Sequence, residues 1–379
     1  MRCKTRQKSE KQMEEKRRAN QKSSAQGPIP WFLPESRSLP SSPLRLGSYK
    51  AQKTSRSSSI PCSGSLDGRE LSRQVRDDCV SAGQPVSRNA VSLGDVGRAK
   101  GPLRAINAIA HRLRDNRPGK ARANIAAHYD LGNDFYAAWL DETMTYSSAW
   151  WDHGSALADA QLAKIERLLD RLELKQGDRL LEIGCGWGSL AVQAALRGAS
   201  VVGLTLSAEQ KAWAERETAS RGLSERIEIR LQDYRDVAET FDAIASVEMV
   251  EAVGRRWWGA YLDSIARNLR AGGRAALQFI FMRPELFGRY ARNADFIQTY
   301  VFPGGMLVNE PEFRSLAEER GLSWHDRSAD FGADYAETLK RWRANYERAL
   351  DAGKLAGFSN EFHRLWRYYL MYCEGGFRG

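Results

Sequence analysis

A chain of 379 residues, 42% hydrophobic and 27% charged, is long enough to bury one substantial core, and its formal net charge is +10. The excess is local: residues 1–100 hold 20 Lys and Arg against 9 Asp and Glu, so the remainder is close to neutral, which excludes a nucleic-acid surface spread over the whole molecule. No apolar run approaches the ~20 residues of a bilayer-spanning helix and no apolar signal core opens the chain, while Cys3, Cys62, Cys79, Cys185, Cys373 and the five histidines follow neither metal-ligand nor paired spacing. The expectation is a protein without zinc or disulfide, cytoplasmic or peripheral to the inner face of the membrane, with no nucleic-acid partner.

Residues 1–100 are rich in Ser, Arg, Lys, Gln and Pro and show no sustained apolar period. Such a segment cannot bury enough apolar surface to offset its ordering, so a disordered basic extension is predicted there. The folded domain is placed over 101–379. Within it, apolar runs at Arg179 to Ile183, Ser200 to Leu204, Ile227 to Leu231, Phe241 to Val247 and Gly273 to Phe281 have the length of strands buried on both faces. Helical segments at Ser189 to Arg197, Ala208 to Arg221 and Trp257 to Leu269 lie between them, with Ser189 and Ser207 as expected N-caps. The alternation predicts an α/β fold: a doubly wound, mostly parallel sheet whose ligand lies at the carboxyl ends of the strands. A lid or acyl-binding loop is expected over 282–308, around a Pro-Gly-Gly break, and a helical cap over about 330–373, from helices at Glu310 to Arg320, Tyr335 to Asp351 and Ser359 to Cys373.

The most informative stretch is Leu180-Leu181-Glu182-Ile183-Gly184-Cys185-Gly186-Trp187-Gly188, where a buried strand runs into three glycines at alternate positions and then into a helix. Glycines there let the backbone turn sharply and approach a ligand closely. The spacing is one residue shorter than the dinucleotide fingerprint, which places a pyrophosphate. S-adenosylmethionine carries no phosphate, and a short cradle of amides suits it better.

Further motifs accumulate in order: Asn124-Ile125-Ala126-Ala127-His128-Tyr129-Asp130, Met144-Thr145-Tyr146-Ser147-Ser148-Ala149-Trp150-Trp151, Gly203-Leu204-Thr205-Leu206-Ser207, Gln232-Asp233-Tyr234-Arg235-Asp236, and Ser246-Val247-Glu248-Met249-Val250-Glu251-Ala252-Val253-Gly254. Together they resemble the cyclopropane-fatty-acyl-phospholipid synthase and mycolic acid methyltransferase family from about Ala123 to Arg378. The resemblance implies a class I S-adenosylmethionine-dependent methyltransferase, Rossmann-like, that transfers a methyl or methylene carbon to the double bond of an unsaturated phospholipid acyl chain at the membrane surface. Carried over by position, Tyr146 and Ser147 close over the donor, Gly184, Gly186 and Gly188 cradle it, Thr205 and Gln210 lie near its ribose and methionine parts, and Gln232, Asp233 and Tyr234 near adenine.

An isolated alkene is a poor nucleophile, and its attack on a sulfonium methyl puts positive charge on the chain, so the site needs aromatic walls and no water. Tyr129, Trp151, Tyr300, Phe302 and Tyr335 are the candidates for that wall. The resemblance further implies a bicarbonate as base. Of the residues that would hold it, Glu251 and Tyr335 match the family, whereas Ser148 stands for Cys and Gln278 for His. Neither replacement takes up a proton near neutral pH, so a methylene or methyl-branched chain is expected at least as readily as a cyclopropane. Glu248, where some relatives carry Gly, adds a carboxylate whose simpler reading is a helix-start charge. Two other functions stay open: methylation of a small amphiphilic acceptor, and a nonproductive donor-binding, membrane-associated protein.

Overall fold

The computed structural model describes residues 131–378, apart from 152–155, 293–294, 303 and 326–328. The expectations for the extension and for Tyr129 fall outside the described residues. Five strands, β1 (Arg179–Ile183), β2 (Ser200–Thr205), β3 (Ile227–Leu231), β4 (Phe241–Val247) and β5 (Leu269–Gln278), form one sheet in the order β3-β2-β1-β4-β5. Every neighbouring pair is parallel. The chain winds outward from β1 to β3, then returns to place β4 on the other side of β1. That reversal opens a crevice at the carboxyl ends of β1 and β4, where open α/β sheets bind ligands.

Helices α1 (Asn133–Ala137) and α2 (Leu157–Leu172) precede the sheet, and α3 (Ser189–Leu196), α4 (Ala208–Ser220) and α5 (Trp258–Asn268) make the crossovers. Ser207 caps α4 by accepting from the Gln210 amide at 3.2 Å. Ser189 does not cap α3: Gly188, left-handed at φ 93°, holds that position, because the cradle leaves no extended residue before the helix. Strand β5 starts and ends earlier than its apolar run indicates. Gly273 lies inside it, where a Cβ would meet the Asp242 carbonyl oxygen at 2.7 Å, and the β4–β5 register shifts at this point. Glycine here makes a bulge and not a strand start.

Two apolar layers sandwich the sheet, one holding Ile165, Leu169, Leu180 and Ala191, the other Leu181, Ile183, Phe241, Trp258 and Ile265. Side chains as large as Trp258 and Leu180, fully buried, contribute roughly 1.5–3 kcal/mol each. The segment expected as a lid loop is partly helical. Helix α6 (Pro284–Tyr290) has proline in its first turn, where the missing N–H costs nothing, and a π-type turn spans Ile297–Val301. Its base is closed by the Met282 amide donating to Val308 O at 2.9 Å and the Val308 amide to Ile280 O at 3.0 Å.

The cap consists of α7 (Glu310–Glu318), α8 (Gly332–Asp351) and α9 (Asn360–Arg378). Helices α8 and α9 pack with α1 around a third cluster dominated by aromatics, in which Trp139 and Trp342 are fully buried with ring centroids 5.7 Å apart. Trp342, Trp366 and Tyr369 are core residues of this cluster.

Candidate active site

A cavity at the carboxyl end of the sheet is lined by the loop after β1, by the ends of β2, β3 and β4, and by the 144–147 segment lying across them. Of the residues expected to hold the donor, Tyr146, Ser147, Gly184, Gly186, Thr205, Gln210, Gln232, Asp233 and Tyr234 all line this cavity, and Gly188 does not. At Gly184, φ is 83° and a Cβ would stand 2.8 Å from Met249 Cγ, so glycine lets the loop after β4 close against the loop after β1. At Gly186, φ is 52° and a Cβ would meet nothing within 4 Å. Any side chain there would project into open space at a cavity wall.

The polar groups sort by strand. Thr205 donates through its hydroxyl to Gln210 Oε1 at 2.8 Å, fixing both at the end of β2. Asp233 serves as N-cap of a short 3₁₀ turn, and both its oxygens are engaged by Arg235, at 2.8 Å from Nε and 2.6 Å from Nη2. Burial works against its charge, but the Arg235 contacts win and hold its carboxyl below the usual range. Asp233 is therefore both turn residue and ionised acceptor. Glu182 on β1 was missed in the sequence: it is 3% exposed, lines the cavity, and its Oε2 has no partner. Burial pushes its pKa up to about 8. A buried acid inside an otherwise apolar strand was the available signal.

Helix α2 supplies two more residues that the sequence reading missed. Gln161 and Lys164 fall in the same stripe as Ile165, Leu168 and Leu172, and both are buried. Gln161 Nε2 donates to Ser147 O at 2.8 Å and Lys164 Nζ to Ser147 Oγ at 2.7 Å, so α2 pins the segment that crosses the cavity. Polar residues on an apolar helical stripe were the readable sign.

The largest departure concerns the residues expected to hold an anion. Glu248 follows β4 in a left-handed conformation, φ 47°, which is strained for a side chain of this size. It is no helix-start charge. Its Oε1 accepts from the Ser148 amide and from Gln278 Nε2, both at 2.8 Å, and its Oε2 from the Tyr335 hydroxyl at 2.7 Å. The expected donors to a bicarbonate are thus already occupied by a carboxylate of the chain itself. A separate bicarbonate does not fit this donor set. Ser148 contributes its backbone and not its hydroxyl, which donates to Ala149 O at 3.0 Å. Burial raises the Glu248 pKa, and the Ser148 amide, Tyr335, Lys164 and Gln278 pull it back.

Glu251 lies just past the end of β4 but does not join the Glu248 cluster. It sits in a 3₁₀ turn, accepts from the Ile280 amide, and keeps Oε2 buried without a partner. Burial, with the neighbouring Glu248 charge second, pushes its pKa up to about 8. Tyr335 donates to Glu248, because α8 begins at Gly332 and its first turn faces the end of β4. Among the aromatic wall candidates, Trp151 is tied to the cap, its Nε1 donating to Asp334 O and Thr338 Oγ1, each at 3.0 Å. Phe302 packs against Tyr369, whose hydroxyl meets that of Tyr146 at 2.9 Å. Tyr300 is 45% exposed and does not line an interior wall, since the π-type turn directs it outward.

Known proteins share sequence and fold with this chain. The chain is 43% identical over 273 residues to the tuberculostearic acid methyltransferase UfaA1 of Mycobacterium tuberculosis, a match covering 70% of this chain and 64% of that one. It is 40% identical over 271 residues to the cyclopropane-fatty-acyl-phospholipid synthase of Escherichia coli, covering 69% and 67%. The matches thus span about two thirds of the length of these relatives. Among solved structures, the mycolic acid cyclopropane synthase CmaA1 complexed with SAH and CTAB superposes with a TM-score of 0.63 at 32% identity, covering 68% of this chain and 93% of that one. Coclaurine N-methyltransferase, at 20% identity and a TM-score of 0.60, shares the fold. The family profile described as mycolic acid cyclopropane synthetase matches residues 116–379, about two thirds of the chain, and the chain belongs to that family.

Proposed function

We propose that the protein transfers a one-carbon unit from S-adenosylmethionine to the double bond of an unsaturated phospholipid acyl chain, and that its product is an unsaturated branched chain in preference to a cyclopropane. The donor fits the cavity: Gly186 leaves room a Cβ would take, and Glu182 offers an unpartnered buried oxygen to an amine. When bound, it supplies an electrophilic methyl. The chain's own residues hold it and exclude water, Tyr146 and Ser147 from one side and Asp233 and Tyr234 from another.

One observation carries the product reading. Glu248 lies on the cavity wall, fastened by three donors, where it can accept a proton. Methyl addition to one alkene carbon leaves positive charge on its neighbour, and a carboxylate beside it favours that charge. Loss of a proton to Glu248 from a chain carbon, or from the methyl after a hydride shift, gives a branched alkene or a methylene group. Loss from the methyl with ring closure gives cyclopropane. A saturated branch requires a hydride donor in addition. The name of the mycobacterial relative, a methyltransferase and not a cyclopropane synthase, favours the same outcome.

Action at a membrane surface is part of this reading. No helix among the described residues is long and apolar enough to cross a membrane. Leu286, Tyr300 and Tyr368 are 42%, 45% and 40% exposed, and Phe296 packs against both tyrosines, at 5.6 and 4.7 Å between ring centroids. Aromatic rings with a polar edge suit a bilayer interface.

The test is turnover of methyl-labelled donor on vesicles of unsaturated phospholipid, with the acyl chains resolved by gas chromatography and mass spectrometry. Label is expected in a branched, unsaturated chain, at a rate indifferent to added bicarbonate. Absence of label from the acyl chains overturns the lipid reading. A cyclopropane product at a bicarbonate-dependent rate overturns the role given to Glu248.

A further inference from the structure

Lys164 is 3% exposed on the apolar stripe of α2, yet it lines the donor cavity beside Ser147, Gly184 and Gly186. Its ammonium has three protons to donate, and among the described residues the hydrogen bond to Ser147 Oγ accounts for one of them. Glu248, Asp141 and Glu182 act on it through space, but among the described residues no carboxylate closes an ion pair with it. Burial accordingly pushes its pKa down to about 8, against the pull of those carboxylates. A dry cation without a contact counter-ion costs stability, and an apolar side chain of the same length would pack on this stripe at no such cost. A buried charge in a ligand cavity that lacks a contact counter-ion is a candidate binding group, and for an ammonium the complementary ligand group is an anion.

We propose that Lys164 binds the carboxylate of the methionine part of S-adenosylmethionine, with Ser147 as the shared hydroxyl between ammonium and ligand. The proposal rests on the donor reading above. It gives each end of the amino-acid zwitterion a buried partner of opposite character: Glu182, whose Oε2 is unpartnered, for the amine, and Lys164 for the carboxylate. The arrival of the carboxylate supplies the missing counter-ion, and in a dry site such a charge-assisted hydrogen bond is among the stronger ones.

The experiment is calorimetry on the full chain with two ligands, S-adenosylhomocysteine and its decarboxylated analogue. The unsubstituted protein is expected to prefer the carboxylate-bearing ligand by at least about tenfold, the scale of one hydrogen bond to a charged group. In Lys164→Met the preference is expected to fall to within about threefold, with affinity for the decarboxylated ligand little changed and the ligand-free melting temperature raised. Equal loss for both ligands, or an unchanged preference, overturns the assignment. Ser147→Ala separates a lysine that only fastens the 144–147 segment from one that meets the ligand; if it reproduces the whole effect of Lys164→Met, the assignment is overturned. A thermal shift on adding sodium bicarbonate alone, absent from Lys164→Met, gives the ammonium to a free anion and also overturns it. If the unsubstituted protein binds neither ligand, the donor reading itself has failed. Should Lys164→Met not fold, Lys164→Gln, neutral and still able to donate to Ser147, carries the same comparison.

Discussion

The two walls of the cavity were built by different means. On the wall proposed to hold the donor, here the donor wall, each polar or glycine group comes from one local motif: the glycines follow β1, Thr205 ends β2, and Gln232 to Tyr234 follow β3. On the opposite wall, one carboxylate after β4 is held by a backbone amide from the 144–151 segment, an amide side chain from β5 and a hydroxyl from α8, with partners 100, 30 and 87 residues away in sequence. The first wall is local chemistry at strand ends. The second is complete only once α8 has docked and brought Tyr335 to it. They should therefore fail separately, the donor wall through ligand affinity and the cap wall through turnover, product and cap stability.

The largest expected effect is on the donor wall. Gly186→Val should lower affinity for S-adenosylhomocysteine by more than about a hundredfold, because a branched side chain at φ 52° is both strained and set in ligand space. Calorimetry, with a melting curve to show that the protein still unfolds cooperatively, checks it. Next is Glu248→Gln on the cap wall, which keeps the shape and removes the proton acceptor. Turnover should fall by roughly a hundredfold, the usual scale for a lost acid–base group, with donor affinity within a few-fold. Collapse of donor affinity in this variant would mean that the two walls are not separable.

Glu251→Gln sharpens the contrast by pH. Its pKa in the folded protein is raised to about 8, so the folded state holds a proton that the unfolded chain releases near the ordinary carboxyl value. The resulting stability is fully present below the unfolded pKa and is lost as pH rises through about 8. The difference in stability between the variant and the unsubstituted protein should therefore grow in favour of the variant from pH ~5 to pH ~8, by on the order of a few kcal/mol. Urea titrations at both pH values measure it, and a flat difference means that Glu251 is charged in the folded state.

Cap docking itself is tested at Thr338, whose hydroxyl accepts from the Ala149 amide at 3.1 Å and from Trp151 Nε1 at 3.0 Å. Thr338→Val should cost about 1–3 kcal/mol, the scale for stranding a buried donor, with donor affinity nearly unchanged. The smallest effect is expected at the surface. Replacing Tyr300 and Tyr368 by Ser should weaken co-sedimentation with unsaturated phospholipid vesicles a few-fold and leave donor affinity alone; equal binding of vesicles by both proteins removes the interface role of this patch.

What was legible in the sequence follows the same division. The strand limits of β1, β3 and β4 were read residue for residue, because short apolar runs bounded by polar residues have few alternatives in a parallel sheet. Nearly all residues expected on the donor wall do line the cavity, since a strand's end and the turn after it lie in one stretch of chain. Strand β5 was misplaced where the local signal was ambiguous, since a Gly-Gly pair reads equally as turn or bulge, and the 282–308 insertion holds a short helix that its sequence did not announce.

On the cap wall the chain alone named Ser148, Gln278, Tyr335, Glu248 and Glu251 as neighbours of the chemistry, but not which of them meet. A one-residue change in backbone conformation decides that. With φ at 47°, Glu248 carries its carboxylate to the donors of Ser148, Gln278 and Tyr335, while Glu251, three residues on, is turned toward the Ile280 amide. Sequence periodicity determines which face of an element is buried, because that depends on neighbours a few residues away. The partner of a buried charge depends on which distant donors arrive within hydrogen-bond reach, and only the packed tertiary structure brings them there.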